Sequence, residues 1–461
     1  MRKAFIKFIT SFSVASMLQS VAIFAFIFIM SHLATIDAYA EYRKTFYVID
    51  FTTAISLFGL NTLLLRKSIR SLYSDILPTV IIINLIQVIS VFVFMVIQGF
   101  PLLKYLEIVF FISLNTLYQI CVSILILSKK KNLYAVCTIS SFFVAGIGLG
   151  LLAYSNSLDF YNVYILRIVL LAIYILPFFI EVRRSLRAIE FPSTRKIFEI
   201  ARDAAPIGLG VMLGSCTLYI DKFIASMMDS YQLSVYANGS ADVPFVGIAI
   251  TTMSIYFIPI IHKHYSAKEY QLASQNISSL FLFGWYIGVS VFTLLFCNAE
   301  FVINVLYSSR YAESVTIFRI FCAAYLLRIV SYTQLIVALE LEKIIIKRML
   351  VEMILQVVSS FLLFKLFGIV GLSVSVILVL GLWSVPYNIL YFKKSLHCKV
   401  RDLLPVKSML SFFIKAFLPC LIISIIMRDY SANGFFIFIV TLVLYCIINF
   451  REIVYILRNV R

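Results

Sequence analysis

Residues 105–131 read YLEIVFFISLNTLYQICVSILILSKKK. Glu107 stands near the start, the run to Ser128 is otherwise uncharged, and Lys129, Lys130 and Lys131 end it. A helix needs about 20 mostly apolar residues to cross the hydrocarbon of a bilayer, and a block of lysines marks where it stops on the cytoplasmic side. The stretch therefore predicts a membrane span whose C-terminal end lies in the cytoplasm.

The same pattern recurs on both sides of it. Apolar runs fall at 8–31, 45–65, 76–97, 105–128, 133–154, 160–182, 204–228, 234–261, 278–298, 314–338, 349–365, 369–391, 408–427 and 434–454. Hydrophobic residues make up 62% of the 461 and charged ones 13%, with a mean hydropathy of +1.01. Soluble domains carry about 25% charged residues, and no water-soluble core could bury this much apolar surface. A soluble enzyme, a disordered chain and a secreted disulfide scaffold are excluded. The expectation is an all-α polytopic membrane protein of about 14 transmembrane helices with almost no extramembrane domain.

The net charge of +17 comes from 39 Lys and Arg against 22 Asp and Glu. If Arg2, Lys3 and Lys7 are cytoplasmic, every second connection is basic. Arg66, Lys67 and Arg70 mark one, Arg183, Arg184 and Arg187 another, and Lys263 with Lys268 the next. Lys343, Lys347 and Arg348, then Lys393, Lys394, Lys399 and Arg401, then Arg451, Arg458 and Arg461 complete the series. The alternate connections hold only Arg43, Lys44, Lys104, Arg310, Lys365 and Arg428. The basic excess reads as topology with both termini cytoplasmic, and charges so scattered give no support to nucleic-acid binding. The run from Ala4 to Met30 is too long for a cleavable signal peptide and reads as a retained first helix. The eight cysteines are dispersed, and without CxxC or HxxxH neither a metal site nor a cofactor is expected.

The charged stretch 183–203, with Pro192, Ser193 and Thr194, divides the chain after six spans. It predicts a six-helix lobe over 1–182, a cytoplasmic linker over 183–203, a second six-helix lobe over 204–391 and two further helices over 392–461. At an offset of 197, Tyr39-Ala40 falls on Tyr236-Ala237, each in an expected outer turn, and Arg66 falls on Lys263.

These segments carry a family resemblance. Asp37-Ala38-Tyr39-Ala40, then Phe58-Gly59-Leu60-Asn61 and Arg66, resemble the first helix pair of the bacterial polysaccharide, or O-antigen, flippases of the multidrug/oligosaccharidyl-lipid/polysaccharide exporter superfamily. Pro206 with Tyr219-Ile220-Asp221-Lys222 resembles their seventh helix. Val305 to Ala312 resembles a turn of theirs that contains glycine, with Ser308 where the glycine is usual. The resemblance covers roughly 8–391. It implies two six-helix lobes around a central cavity, often with two extra C-terminal helices.

Charges inside spans are costly unless they face a cavity or a partner, which makes them candidates for function. They are Asp50, Arg167, Asp221, Lys222, Asp242, Arg319, Arg328 and Lys415. Arg167 shares a helix face with Tyr164 and Tyr174, Arg328 with Tyr325 and Tyr332, and Lys222 with Ser215, Tyr219 and Ser226. Asn115, Gln119 and Ser123 form a polar stripe on the fourth span, and Glu352, Gln356 and Ser359 one on the eleventh, suited to sugar hydroxyls. Asp221 points about 100° away from Lys222 on a helix, so each is expected to have its own partner. Arg319 and Lys415 lie near span ends, where snorkelling to the interface accounts for them.

Arg167, Lys222 and Arg328 suit a pyrophosphate, which Arg binds by paired hydrogen bonds and Lys as a point charge. Tyr164, Tyr219, Tyr325, Tyr332, Asn115, Gln119 and Gln356 suit the sugars. Asp221, Asp242 and Asp50 are the expected ion-coupling carboxylates for a proton or sodium gradient. With the resemblance, they imply a flippase in the bacterial inner membrane for an undecaprenyl-pyrophosphate-linked oligosaccharide destined for lipopolysaccharide or a related surface polymer. Partners implied are membrane lipid, the polysaccharide polymerase and the chain-length regulator. A polymerase or ligase would need a larger outer loop than the chain has, and a multidrug exporter would favour acidic groups over cations. Exporters of peptidoglycan precursors and of teichuronic-type polymers remain close alternatives. A reporter fused after Arg461 is expected to be active only when it functions in the cytoplasm; activity confined to the outer side would overturn the alternate basic topology.

Overall fold

The computed structural model describes residues 18–19, 21–57, 87–89, 91–93, 102–127, 131–186, 194–341, 343–430 and 433–452. Phe58-Gly59-Leu60-Asn61, Arg66, most of the expected third span and Pro192-Ser193 lie outside them. The described residues are helical with short connections, and eight of their helices are long and apolar enough to cross a membrane. The chain is a multi-pass membrane protein and divides into two compact units, Met1–Ser234 and Val235–Arg461.

The described part of the first unit contains α1 (Val21–Leu33), α2 (Ile36–Leu57), α3 (Leu102–Leu127), α4 (Lys131–Tyr154), α5 (Phe160–Leu186) and α6 (Thr194–Ala225). α2 packs against α3 and α6, and α5 against α3 and α4. Ala34 and Thr35 alone join α1 to α2. Tyr39 and Ala40 therefore sit inside the first turns of α2 and not in the expected outer turn. Tyr236 and Ala237 sit likewise inside α7 (Ser230–Gly239), and both tyrosines are fully buried. The repeated pair marks packing anchors: an aromatic ring and a small residue beside it let two helices close on each other.

The second unit continues with α8 (Pro244–Ser266), α9 (Tyr270–Cys297), α10 (Ala299–Tyr307), α11 (Ser314–Cys322), α12 (Ala324–Leu327) and α13 (Tyr332–Ala338). After α14 (Lys343–Val379), a π-helical segment (Leu380–Ser384) leads into α15 (Val385–Ser395). The short α16 (Val400–Leu403) precedes α17 (Val406–Asp429) and α18 (Gly434–Ile448). α9 is the central element, packing against α8, α12 and α17. Its Trp285 indole donates to the Met409 carbonyl at 2.8 Å, and Arg428 Nη2 of α17 donates to the Cys297 carbonyl at 2.6 Å. These contacts attach the C-terminal pair to the unit. Gly368, with φ 59°, makes the expected turn between the eleventh and twelfth spans.

Two expected spans are not continuous. The run 234–261 breaks at 240–243, between α7 and α8. Pro244 has no N–H to donate and disfavours the helical conformation at Val243, so a helix can begin there but not run through. The run 314–338 breaks at 328–331, where no proline stands. Here α9 accommodates the break: the Ile329 carbonyl oxygen lies 1.9 Å from where a Cβ at Gly284 would stand, and the carbonyl of Tyr325, just before the break, 2.4 Å from one at Gly288. Two glycines one turn apart make a groove into which the broken strand of backbone sinks.

Gly284→Ala and Gly288→Ala are each expected to destabilise the purified protein by about 1–3 kcal/mol, by forcing the break off α9. Gly150→Ala in α4, where nothing lies within 4 Å, is the control in the same thermal melt and is expected to leave stability unchanged or slightly raised. Ser308 adopts φ 75°, ψ 148°, a conformation suited to glycine. Ser308→Gly is therefore expected to raise stability by about 1 kcal/mol in that melt.

Candidate functional site

The two breaks meet. Arg328, the first residue after α12, directs Nη1 to within 3.5 Å of Asp242 Oδ1 in the other break, and both side chains are accessible. The backbone groups that the breaks release are taken up by tyrosines. Val243 N–H donates to the Tyr325 hydroxyl at 2.9 Å, and the Tyr332 hydroxyl donates to the Leu327 carbonyl at 3.1 Å. Irregular backbone at membrane depth persists only where it is buried in protein or lines a polar cavity, since each unsatisfied group in hydrocarbon costs several kcal/mol.

A cavity of about 470 Å³ lies at the junction, within the size range of small-molecule sites. Asp242, Tyr325, Arg328, Ser331, Tyr332, Thr333, Arg348 and Ser384 supply its polar lining. Two guanidinia and one carboxylate line it among hydroxyls, and the Glu352 carboxylate stands behind Arg348. A second cavity of about 580 Å³ between α8 and α13 shares Thr333 and is walled mainly by Ile258, Pro259, Val337 and Ala338. A charged compartment and an apolar one thus lie on either side of α13.

Arg348 was expected among the cytoplasmic cations of an inner connection. It is instead inside the unit, 6% exposed, because α14 begins at Lys343 and carries it onto the inner face. Its Nη1 donates to Asn388 Oδ1 at 3.1 Å, and its Nε stands 3.7 Å from Glu352 Oε2. Ser384 donates to the same Glu352 oxygen at 3.3 Å, and Trp383 Nε1 donates to the Arg348 carbonyl at 3.3 Å. Both residues lie in the π segment, whose wider turn swings them toward α14. Glu352 and Gln356 were legible as one stripe; Arg348, four residues before Glu352, continues it. Gln356 is fully buried and donates to Ser360 at 2.8 Å and Ser375 at 3.1 Å, tying the two arms of the α14 hairpin together. Its amide N–H groups are directed at serines of its own hairpin.

The other candidates gather in the first unit, around α2, α5 and α6. Arg167 Nη1 donates to the Tyr42 hydroxyl at 2.9 Å, and its guanidinium lies 4.2 Å from the centre of the Phe46 ring. Asp50 is accessible and has Arg167 and Arg43 as its electrostatic partners, with Tyr219 beside it. Arg43 Nη2 in turn donates to the Tyr47 hydroxyl at 2.8 Å. Tyr164 donates to the Glu107 carbonyl at 2.6 Å, and Asn115 to Thr53 Oγ1 at 3.1 Å. Gln119 is half-buried on α3. Tyr174 is buried with Tyr118 and Tyr134, so that end of the expected aromatic stripe is core.

Asp221 and Lys222 correct the expectation that they avoid each other. Lys222 Nζ lies 3.3 Å from Asp221 Oδ2 and also donates to the Leu218 carbonyl at 2.9 Å. The four-carbon stem of lysine folds back across the 100° between neighbouring positions, and Asp221, 1% exposed, gains a counter-charge. Arg319 and Arg428 share the Glu300 carboxylate at 2.9 and 3.4 Å, and Lys415 pairs with Glu452 at 2.8 Å.

No protein-family model matches the sequence, and no curated protein matches it. Solved structures do. An inward-facing multidrug resistance transporter of the MATE family, MOP superfamily, superposes with a TM-score of 0.64 at 11% identity, over 85% of this chain and 98% of its own. The lipid II flippase MurJ in an inward closed conformation gives a TM-score of 0.68 at 13% identity, over 98% of this chain and 99% of its own. A MOP-superfamily transporter from Pyrococcus furiosus, described as having a binding pocket of reverse polarity, gives 0.56 at 11% identity over 86% and 96%. At such identities the likeness is one of fold, and the fold of this chain is that of the MOP-superfamily transporters.

Proposed function

We propose that the protein is a transporter, not an enzyme, that flips an undecaprenyl-pyrophosphate-linked oligosaccharide across the bacterial inner membrane by alternating access. The observation that carries the reading is the cavity at the two broken helices, lined by two guanidinia, with Arg328 accessible at its wall. A phosphate oxygen pair matches the guanidinium fork, and the hydroxyls of Ser331, Thr333 and Tyr332 suit a sugar. The apolar cavity across α13 offers hydrocarbon a place beside the charged head. The fold is shared with a lipid II flippase along nearly the whole chain, which supports a lipid-linked substrate. It is shared also with a multidrug resistance transporter, over 85% of this chain, and the two arginines of the lining, one of them accessible, are what favours an anionic cargo over a lipophilic cation.

In this reading Arg167 and Lys222 remain candidate anion-binding residues of the first unit, and the polymerase and chain-length regulator act on the product after release. Energy enters through a carboxylate that binds an ion in one state and not in the other. Asp242 is the first candidate, since its partner Arg328 is also the substrate ligand; Asp221 and Asp50 follow.

Purified protein in liposomes carrying the lipid-linked oligosaccharide tests this by its delivery to the opposite leaflet. Arg328→Ala is expected to slow delivery about tenfold or more, with normal insertion, and Arg328→Lys to recover part of it, because charge survives and the fork does not. Unimpaired delivery by Arg328→Ala would remove the cavity from the pathway. Under imposed proton or sodium gradients, Asp242→Asn is expected to bind substrate and lose the dependence of rate on the gradient. If no gradient alters the wild-type rate, ion coupling fails and the protein is a facilitator.

A further inference from the structure

Arg348 and Glu352 are ionisable, buried and set against the cavity wall, and neither belongs to the pathway outlined above. A guanidinium taken out of water is costly unless its donors and its charge are matched. Arg348 is matched loosely. Of its five N–H donors, one reaches Asn388, while Nε has no acceptor and faces Glu352 Oε2 at 3.7 Å, beyond hydrogen-bond distance. A tight Arg–carboxylate pair would close to about 2.8 Å through two parallel bonds. Glu352 is itself held away by Ser384, and the π segment that positions Ser384 also fixes the main chain of Arg348 through Trp383. The other charged or titratable groups facing the pair are Arg328, Tyr332 and Tyr387. An accessible guanidinium, Arg328, and a buried one with spare donors, Arg348, line the same cavity.

We infer that Arg348 is the second anion-binding side chain of this cavity, and that Glu352 is its positioning residue, a resident carboxylate that an incoming phosphate replaces. Two phosphates joined by one bridging oxygen present more acceptor oxygens than one fork can take, and the second fork is held ready with its Nε unspent. Glu352 balances the charge of Arg348 until an anion replaces it, and its loose geometry makes it easy to displace. The inference deepens the pyrophosphate reading and rests on it.

The test uses the full chain in detergent with inorganic pyrophosphate as the probe, its affinity measured by titration calorimetry and the fold of each variant by thermal unfolding. Glu352→Gln removes the competing charge and is expected to tighten binding about tenfold. Asn388→Asp adds a second carboxylate at Arg348 and is expected to weaken it by a similar factor. Arg348→Ala is expected to weaken binding, and Arg348→Ala with Glu352→Gln to bind no better than Arg348→Ala alone. If Glu352→Gln and Asn388→Asp leave affinity unchanged while Arg328→Ala lowers it, Arg348 is a packing residue and the inference is overturned with the pyrophosphate site intact. If wild type and Arg328→Ala both fail to bind pyrophosphate, the reading of the cavity itself falls and the inference with it. Should Glu352→Gln not fold, Asn388→Asp decides: unaltered affinity overturns the inference.

Discussion

Within hydrocarbon every backbone N–H and C=O must find a partner, and this one constraint decides where the second unit can carry chemistry. Helices satisfy it along most of the described residues. At 240–243 and at 328–331 they do not, and the unit places the two breaks together. Tyr325 and Tyr332, each rooted beside the second break, take up the exposed backbone groups. Gly284 and Gly288 of α9 hold that break by letting its carbonyls approach as no larger residue could. The polar concavity follows from the breaks, and Asp242 and Arg328 occupy it because each lies in one of them.

The distribution of cations has two physical origins that look alike in a sequence. Most fall between the apolar runs, the pattern expected of spans whose charged ends stay out of the bilayer because crossing it with a charge is costly. Others are partly or wholly buried beside partners: Arg167 on Tyr42 and Phe46, Lys222 on Asp221, Arg348 between Asn388 and Glu352. A basic residue at the edge of an apolar run can belong to either class, and Arg348 shows that the helix start, not the hydropathy, decides which. Tyrosine is equally two-sided. Tyr164, Tyr118 and Tyr174 are packing and capping residues of the first unit, whereas Tyr325 and Tyr332 both cap backbone and line a cavity.

The sequence by itself determined the class of the protein. Apolar runs of bilayer length with alternate basic connections leave no other solvent for the chain, and hydropathy needs no tertiary information because it records transfer of each segment on its own. It also held the cause of the first break, since Pro244 cannot continue a helix from Val243, although hydropathy reads 234–261 as one span; Ser308 stood out only through the family resemblance. Tertiary structure alone decided the second break, because Arg328 to Ser331 contain nothing that forbids a helix; the break is seated on two glycines of α9 some forty residues upstream. It alone decided which unit holds which candidate, that Lys222 folds back on Asp221, that Gln356 ties a hairpin, and that Arg348 enters the cavity wall. Periodicity assigns a residue to a face of its own helix, but what that face meets depends on a neighbour whose position no local pattern records.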